Sequence, residues 1–236
     1  MPGLTHRKSA AVSLVQDQDI EIVDADKSDL TITVIGHAEN DGTKHVTDVL
    51  VSNAICRTSR YLQPIIDVSD DATEITLGGE LKRSASNKHG QDEGENLEGL
   101  LVVLAHLHSL TEQRMNELGL YSISVLSVWY AIAYAERDRT GSAKSTLQSW
   151  FENWYATSVE GVELNIDNAR GLAFPCQLLD HAVGFARVTK WLAYNHIGAV
   201  KERPPKGFRG HRHLHIHSGE FVGTSCIHSQ LQKPIS

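Results

Sequence analysis

Ser28-Asp29-Leu30-Thr31-Ile32-Thr33-Val34-Ile35 carries the first clear periodicity of the chain. Apolar side chains at 30, 32 and 34 alternate with threonine at 31 and 33, the period of two of a half-buried strand. Gly36 to Gly42 reads as a polar turn, and Lys44 to Val46 is expected to return as the second strand of a hairpin. Helical signals follow. Thr47 or Asp48 stands where it can cap a helix carrying Val49, Leu50 and Ala54. Ser59 can cap another, with Leu62, Ile65 and Ile66 on its apolar side and Pro64 keeping it short or irregular. Glu74-Ile75-Thr76-Leu77 is a further short strand, ended by Gly78-Gly79. Upstream, residues 1–27 lack periodicity and read as a flexible N-terminal arm with one short strand, Ile20 to Val23.

Downstream, Leu81 to Glu95 is polar and rich in Ser, Asn, Gly and Lys, and is expected to be a disordered internal loop. The second half is helical. Leu97, Leu100, Leu101, Leu104 and Leu107 share one face of a helix ending near His108. Ile123 to Ala135 is apolar nearly all round, which predicts a central, buried helix. Leu147, Trp150, Phe151, Trp154 and Tyr155 recur at helical spacing. Ala182, Phe185, Ala186, Thr189, Leu192 and Ala193 predict a small-residue face suited to close helix packing. Pro204-Pro205 ends the helical part, and 206–236 reads as loop. A small sheet capped by a helical cluster is an α+β layout.

Composition narrows the function. The chain has 236 residues, 41% of them hydrophobic, enough for one large domain or a domain with an extension. Lys plus Arg number 22 against 29 Asp plus Glu, a formal charge of -7, which argues against non-specific nucleic-acid binding. Cys56, Cys176 and Cys226 are far apart, odd in number and in no CxxC, so a disulfide framework is not expected and a reducing compartment is. Met1 to Ala11 has no apolar core of a secretory signal, and no stretch has the length to span a bilayer. The expectation is a soluble intracellular protein of the cytoplasm or nucleus.

The order of these segments resembles the BTB/POZ family. Ser28 to Val34 is similar to its opening strand; His45-Val46, the Val49-Leu50 helix and Ser59-Arg60-Tyr61-Leu62 to the segment that follows; Glu74 to Leu77 to its short third strand; Leu97 to His108 to the next helix. Val128 to Ala135, Trp150 to Tyr155, Phe174-Pro175-Cys176, Asp180 to Ala186 and Thr189 to Asn195 resemble the helical C-terminal extension of BTB-like proteins from filamentous fungi. The resemblance covers roughly residues 28 to 215. It implies a BTB/POZ-like domain over 28–137, with the loop 81–95 inside it, a helical extension over 138–203 and a His-rich tail over 204–236. It further implies a non-enzymatic protein-interaction module, an adaptor or oligomerisation domain. The partners of such modules are second copies, cullin-type ligase scaffolds or transcription regulators. By the same carry-over, partner contact falls at His108, Leu110 and Met115.

The sharpest local feature is His211-Arg212-His213-Leu214-His215-Ile216-His217, where alternation puts four imidazoles on one side of an extended segment, with Cys226 and His228 near. Imidazole is a common ligand of zinc, copper and nickel, so a metal-binding regulatory protein using this tail is the alternative function. The plainer reading, a solvated tail docking Leu214 and Ile216, is preferred, and no metal or cofactor is expected. Asp180-His181 has the composition of a carboxylate–imidazole pair, but adjacent residues of a helix point about 100° apart and no nucleophile elbow accompanies them. Helix capping or a place at the core edge is the expectation, and a hydrolase ranks last. Gly36 and Gly78-Gly79 are turn glycines without a phosphate-binding Lys-Ser/Thr. The aromatic face 147–155 is expected in the core, and the basic stretch 201–212 in a solvated tail.

Overall fold

A computed structural model describes residues 14–16, 19–38, 44–68, 73–77, 92–138 and 143–196. The α+β layout stands. A mixed sheet is built from β1 (Leu14–Gln16), β2 (Ile20–Glu21), β3 (Leu30–Ala38), β4 (Lys44–Val51) and β5 (Glu74–Leu77). Its order is β1-β4-β3-β5, with β2 also on β4. The helices are α1 (Asn53–Cys56), α2 (Gln63–Ile66), α3 (Asp92–Leu107), α4 (Glu112–Glu117), α5 (Val125–Asp138), α6 (Ala143–Ser158), α7 (Ile166–Leu178) and α8 (Ala182–Asn195).

The alternation in β3 sets the register. Leu30 faces Val51 and Ile32 faces Val49 across the antiparallel hairpin. On the other side Ile32 pairs with Ile75 and Val34 with Leu77 in parallel. The buried members of these pairs form the sheet's inner face. On the opposite face Thr33 Oγ1 lies 2.7 Å from Asp48 Oδ1 and 3.2 Å from Glu74 Oε1 and shares its one proton between them, so this threonine links β3 to both flanking strands.

Four expectations are corrected. Val49 and Leu50 lie in β4, not in a helix; only Ala54 is helical, in α1. Leu50 is half-buried between buried Val49 and Val51, and a three-residue apolar run hides a period of two. Gly36 belongs to β3, which runs on to Ala38. The N-terminal arm is not free throughout: β1 and β2 run parallel to β4, and Ile22 is buried. Residues 92–95 open α3; acids are residue types that favour a helix N-terminus, a sequence signal that polar composition masked. The rest of the expected loop, 81–91, lies outside the described residues.

The helices rest on close approaches. A Cβ on Gly99 of α3 would meet Tyr130 Cβ at 2.5 Å, Ala131 N at 2.7 Å and Ser127 O at 2.9 Å. Two of these are backbone atoms of α5, so Gly99 is what lets the two helices touch. Residues 100–105 and 127–135 are buried all round, which makes α3 and α5 the centre of the molecule, as the apolar run from Ile123 predicts for α5. The aromatic face of α6 is core as expected: Leu147, Trp150, Phe151, Trp154 and Tyr155 are all buried. On α8 the buried residues are Gly184, Val188 and Leu192, while Ala182 and Ala186 are not among them; the packed stripe is turned from the predicted one.

Pro175 sits inside α7. Its missing N–H would have bonded the carbonyl of Gly171, four residues earlier. Trp129 of α5 donates its indole N–H to that same oxygen at 2.8 Å and stacks on Phe174 with centroids 4.6 Å apart. Trp150 and Trp154 of α6 likewise donate to Leu120 O at 3.3 Å and Ile123 O at 2.9 Å. Residues of the expected extension and of the expected domain thus share one buried cluster.

Three helix ends use a left-handed residue. Ser109 (φ 51°), Gly119 (φ 70°) and Asp180 (φ 58°) let Leu110 N bond Ala105 O at 2.9 Å, Leu120 N bond Met115 O at 3.0 Å and His181 N bond Cys176 O at 2.8 Å, the six-to-one closure of a Schellman turn. Serine and aspartate at such positions are strained where glycine is not.

Two tests follow from this packing. Gly99→Ala is expected to lower the unfolding free energy by about 2 kcal/mol through overpacking. Gly94→Ala, on the same helix with nothing within 4 Å of the new Cβ, is expected to raise it by up to about 1 kcal/mol; urea midpoints at unchanged slope report both. Trp129→Phe leaves Gly171 O without its donor and is expected to cost roughly 2–4 kcal/mol, from the orphaned acceptor and the lost volume. Pro175→Ala restores the helical N–H, so a double-mutant cycle should find that penalty smaller by about 1 kcal/mol when Pro175→Ala is already present.

Candidate functional site

An open groove of about 590 Å³ lies where the sheet edge meets α3 and α4. Ile20 of β2, with Asp19 before it and Glu21 after it, forms one wall. Thr47 of β4 contributes to the floor with Leu97 and Leu101 of α3, and Arg114 and Leu118 of α4 form the other wall. On this edge β1 pairs with β4 at 44–46 and the two-residue β2 at 49–50, and Thr47 between them lines the groove.

Arg114 ties the walls together. Its Nη2 donates to Glu21 O at 3.0 Å and its Nη1 to Glu117 Oε2 at 3.2 Å. Gln113 Nε2 donates to Glu117 Oε1 at 3.0 Å, and this bond with the guanidinium holds the Glu117 carboxyl below its ordinary range. Thr111 caps α4, its Oγ1 accepting from Arg114 N at 3.3 Å, which fixes the start of the helix that carries the arginine. An apolar floor with charges at the rim can bury apolar area and orient whatever it receives. The lining holds no thiol, imidazole or adjacent nucleophile–base pair.

The residues expected at a partner contact fall close to the groove but are spent otherwise. His108 is half-buried just beyond α3, its Nδ1 bonded to Leu104 O at 2.9 Å and its Nε2 accepting from Ser52 N at 3.1 Å. Leu110 packs half-buried on the core and Met115 is buried, with Tyr121 Oη donating to its sulfur at 3.7 Å. The three do not form an exposed patch. Arg114, Leu118 and the β2 residues were missed because neither α4 nor the docking of β2 was expected. Thr111-Glu112, a capping residue followed by an acid, was the available signal for α4.

Asp180 and His181 are not in a helix. They form the turn between α7 and α8, with His181 at the N-cap, its Nδ1 accepting from Gly184 N at 3.0 Å. Its ring lies 4.3 Å from Tyr155 and 5.6 Å from Phe151, so the expected capping role at the core edge is what the structure displays. Arg187 on the next turn donates to Val159 O at 2.9 Å and to Val162 O, closing the end of α6. The His-rich stretch 211–217, Cys226, Gly78-Gly79 and the basic stretch 201–212 lie outside the described residues. Among the described residues no group of three His, Cys, Asp or Glu is placed to hold a metal ion, and no helix is long and apolar enough to cross a membrane.

Cys56 and Cys176 are buried free thiols, each pushed up to about 12 by burial, with the Asp29 carboxylate adding to the effect at Cys56. The thiolate is the nucleophile, so neither is reactive in the folded chain at neutral pH. In a Cys226→Ser background, a thiol-specific reagent at pH 8 should label neither cysteine until denaturant unfolds the protein, and then both, as counted by intact mass. Compared with known proteins, the chain matches no family model, no curated protein and no solved structure.

Proposed function

We propose that the chain is a protein–protein interaction module of BTB/POZ type, working as an adaptor or through self-association. The observation that carries this reading is the order of elements. A β3–β4 hairpin is followed by two short helices, then by a strand that returns parallel to β3, then by α3. That order is the one the sequence resemblance implies except at Val49-Leu50, which continue β4 where the resemblance places a helix. The C-terminal helices α6 to α8 support the fungal BTB-like variant, in which a helical extension follows the domain. Cullin-type scaffolds or transcription regulators are the partner classes this reading carries.

The groove between β2 and α4 is the contact surface within this proposal. Its half-buried apolar residues Ile20, Leu97 and Leu118 offer area to bury over the buried Leu101, while Glu21 and Arg114 set orientation at the rim. Light scattering on the purified chain at micromolar concentration, with a pull-down from native cells, tests the proposal. A dimer or a captured partner is expected; a strict monomer together with an empty pull-down sinks it. Glu21→Arg reverses an exposed rim charge and should weaken the interaction about tenfold, roughly 1.4 kcal/mol, at an unchanged melting temperature. Unaltered binding would move the contact away from the groove.

A further inference from the structure

The corner between α3 and α4 is strained and is fastened by one neutral imidazole. Ser109 takes a left-handed conformation that serine disfavours. The neighbouring His108 spends both ring nitrogens. Leu104 O can only accept, so Nδ1 carries the proton and donates to it. Nε2 then presents a lone pair, and Ser52 N–H donates into it. Ser52 is the N-cap of α1 and makes no side-chain cap bond of its own. The imidazole therefore joins the end of α3 to the β4–α1 junction, 56 residues away in sequence.

We propose that His108 is an acid-operated latch: protonation of Nε2 unfastens the α3–α4 corner from the β4–α1 junction. A proton on Nε2 replaces the acceptor with an N–H aimed at the Ser52 N–H, so the bond is lost and two donors face each other. The strained Ser109 turn then loses what over-determines it. Because α4 begins at Glu112, three residues beyond Ser109, release of the corner also loosens the wall of the groove that carries Arg114 and Leu118.

The surroundings do not rescue the charged ring. Asp29 is the carboxylate whose field reaches it, but Asp29 Oδ1 is accepting from Asn53 N. Cys56 on α1, which feels the same carboxylate, stays a neutral thiol. His106 on α3 has a buried Nε2 with no hydrogen-bond partner, so its protonation is disfavoured as well. Burial holds both imidazoles below the ordinary histidine range. The sign is that of a lowered histidine. The latch is fully closed above the ordinary value of about 6.5, weakens as pH falls below it, and is lost as pH passes the lowered value of the folded ring. The inference concerns the fold's own equilibrium and holds whether or not the chain is a BTB module.

Hydrogen exchange on the full chain at pH 7.5 and 5.5, corrected for intrinsic rates, tests it. Protection at Ser52 and at Ser109–Leu110 is expected to fall at least fivefold at pH 5.5, while amides of α5 stay unchanged. His108→Gln keeps an acceptor at the position of Nε2 but cannot titrate, so it should abolish the pH dependence. Should that variant fail to fold, the wild-type nitrogen spectrum decides: Nε2 should gain its proton in step with the loss of Ser52 protection. Equal protection at both pH values, an acid response that persists in His108→Gln, or titration of His108 that leaves Ser52 unmoved would each overturn the proposal.

Discussion

The carbonyl oxygen of Gly171 is left without a helical donor by Pro175, and the indole of Trp129 takes it. An orphaned buried carbonyl costs on the order of 1–3 kcal/mol, and here the group that satisfies it comes from the most buried helix of the molecule. Because Trp129 must also stack on Phe174, the contact fixes both the spacing and the rotation of α7 against α5. Trp150 and Trp154 repeat the arrangement, reaching from α6 to the carbonyls of Leu120 and Ile123 just before α5. Three indole N–H groups thus specify how the C-terminal helices sit, where apolar area alone would allow sliding.

The boundary expected near residue 137 is therefore not a break in packing. α5 is the shared element. Gly99 lets α3 come against it, and Gly171, whose Cβ would come within 3.1 Å of Val125, lets α7 do so. A central helix that touches neighbours on every side leaves no face on which α6 to α8 could be detached without exposing core. The groove, by contrast, lies at the periphery. It is walled by a two-residue strand and a six-residue helix.

Much of the fold was legible because its periods were clean. The strand from Leu30, the strand Glu74 to Leu77, the helix carrying Leu97 to Leu107 and the aromatic spacing of α6 all stand in the structure. The failures have physical causes. Val49-Leu50-Val51 is apolar on both faces, so alternation could not distinguish it from a helix. The first turn of α3 is acidic and reads as solvent-loving, although acids are what a helix N-terminus prefers. The groove was the least legible part: β2 is two residues long and is a strand only because β4 accepts it, a non-local fact. His108 was singled out from the sequence for a partner, whereas its ring is occupied by the backbone on both sides.

The bond between Trp129 and Gly171 also sets an order in time. During synthesis, Trp129 leaves the ribosome well before the helices that cover it. Val188 and Leu192 of α8, which close the buried cluster, follow about sixty residues later. At roughly 5–20 residues per second, the apolar faces of α5 and α6 wait several seconds for their cover. The N-terminal strands wait too, since β1 and β2 have no partner until β4 has been made. The described core is one cluster drawing on both halves of the chain, so its newly made form offers chaperones a prolonged display of tryptophan and leucine that the finished protein conceals.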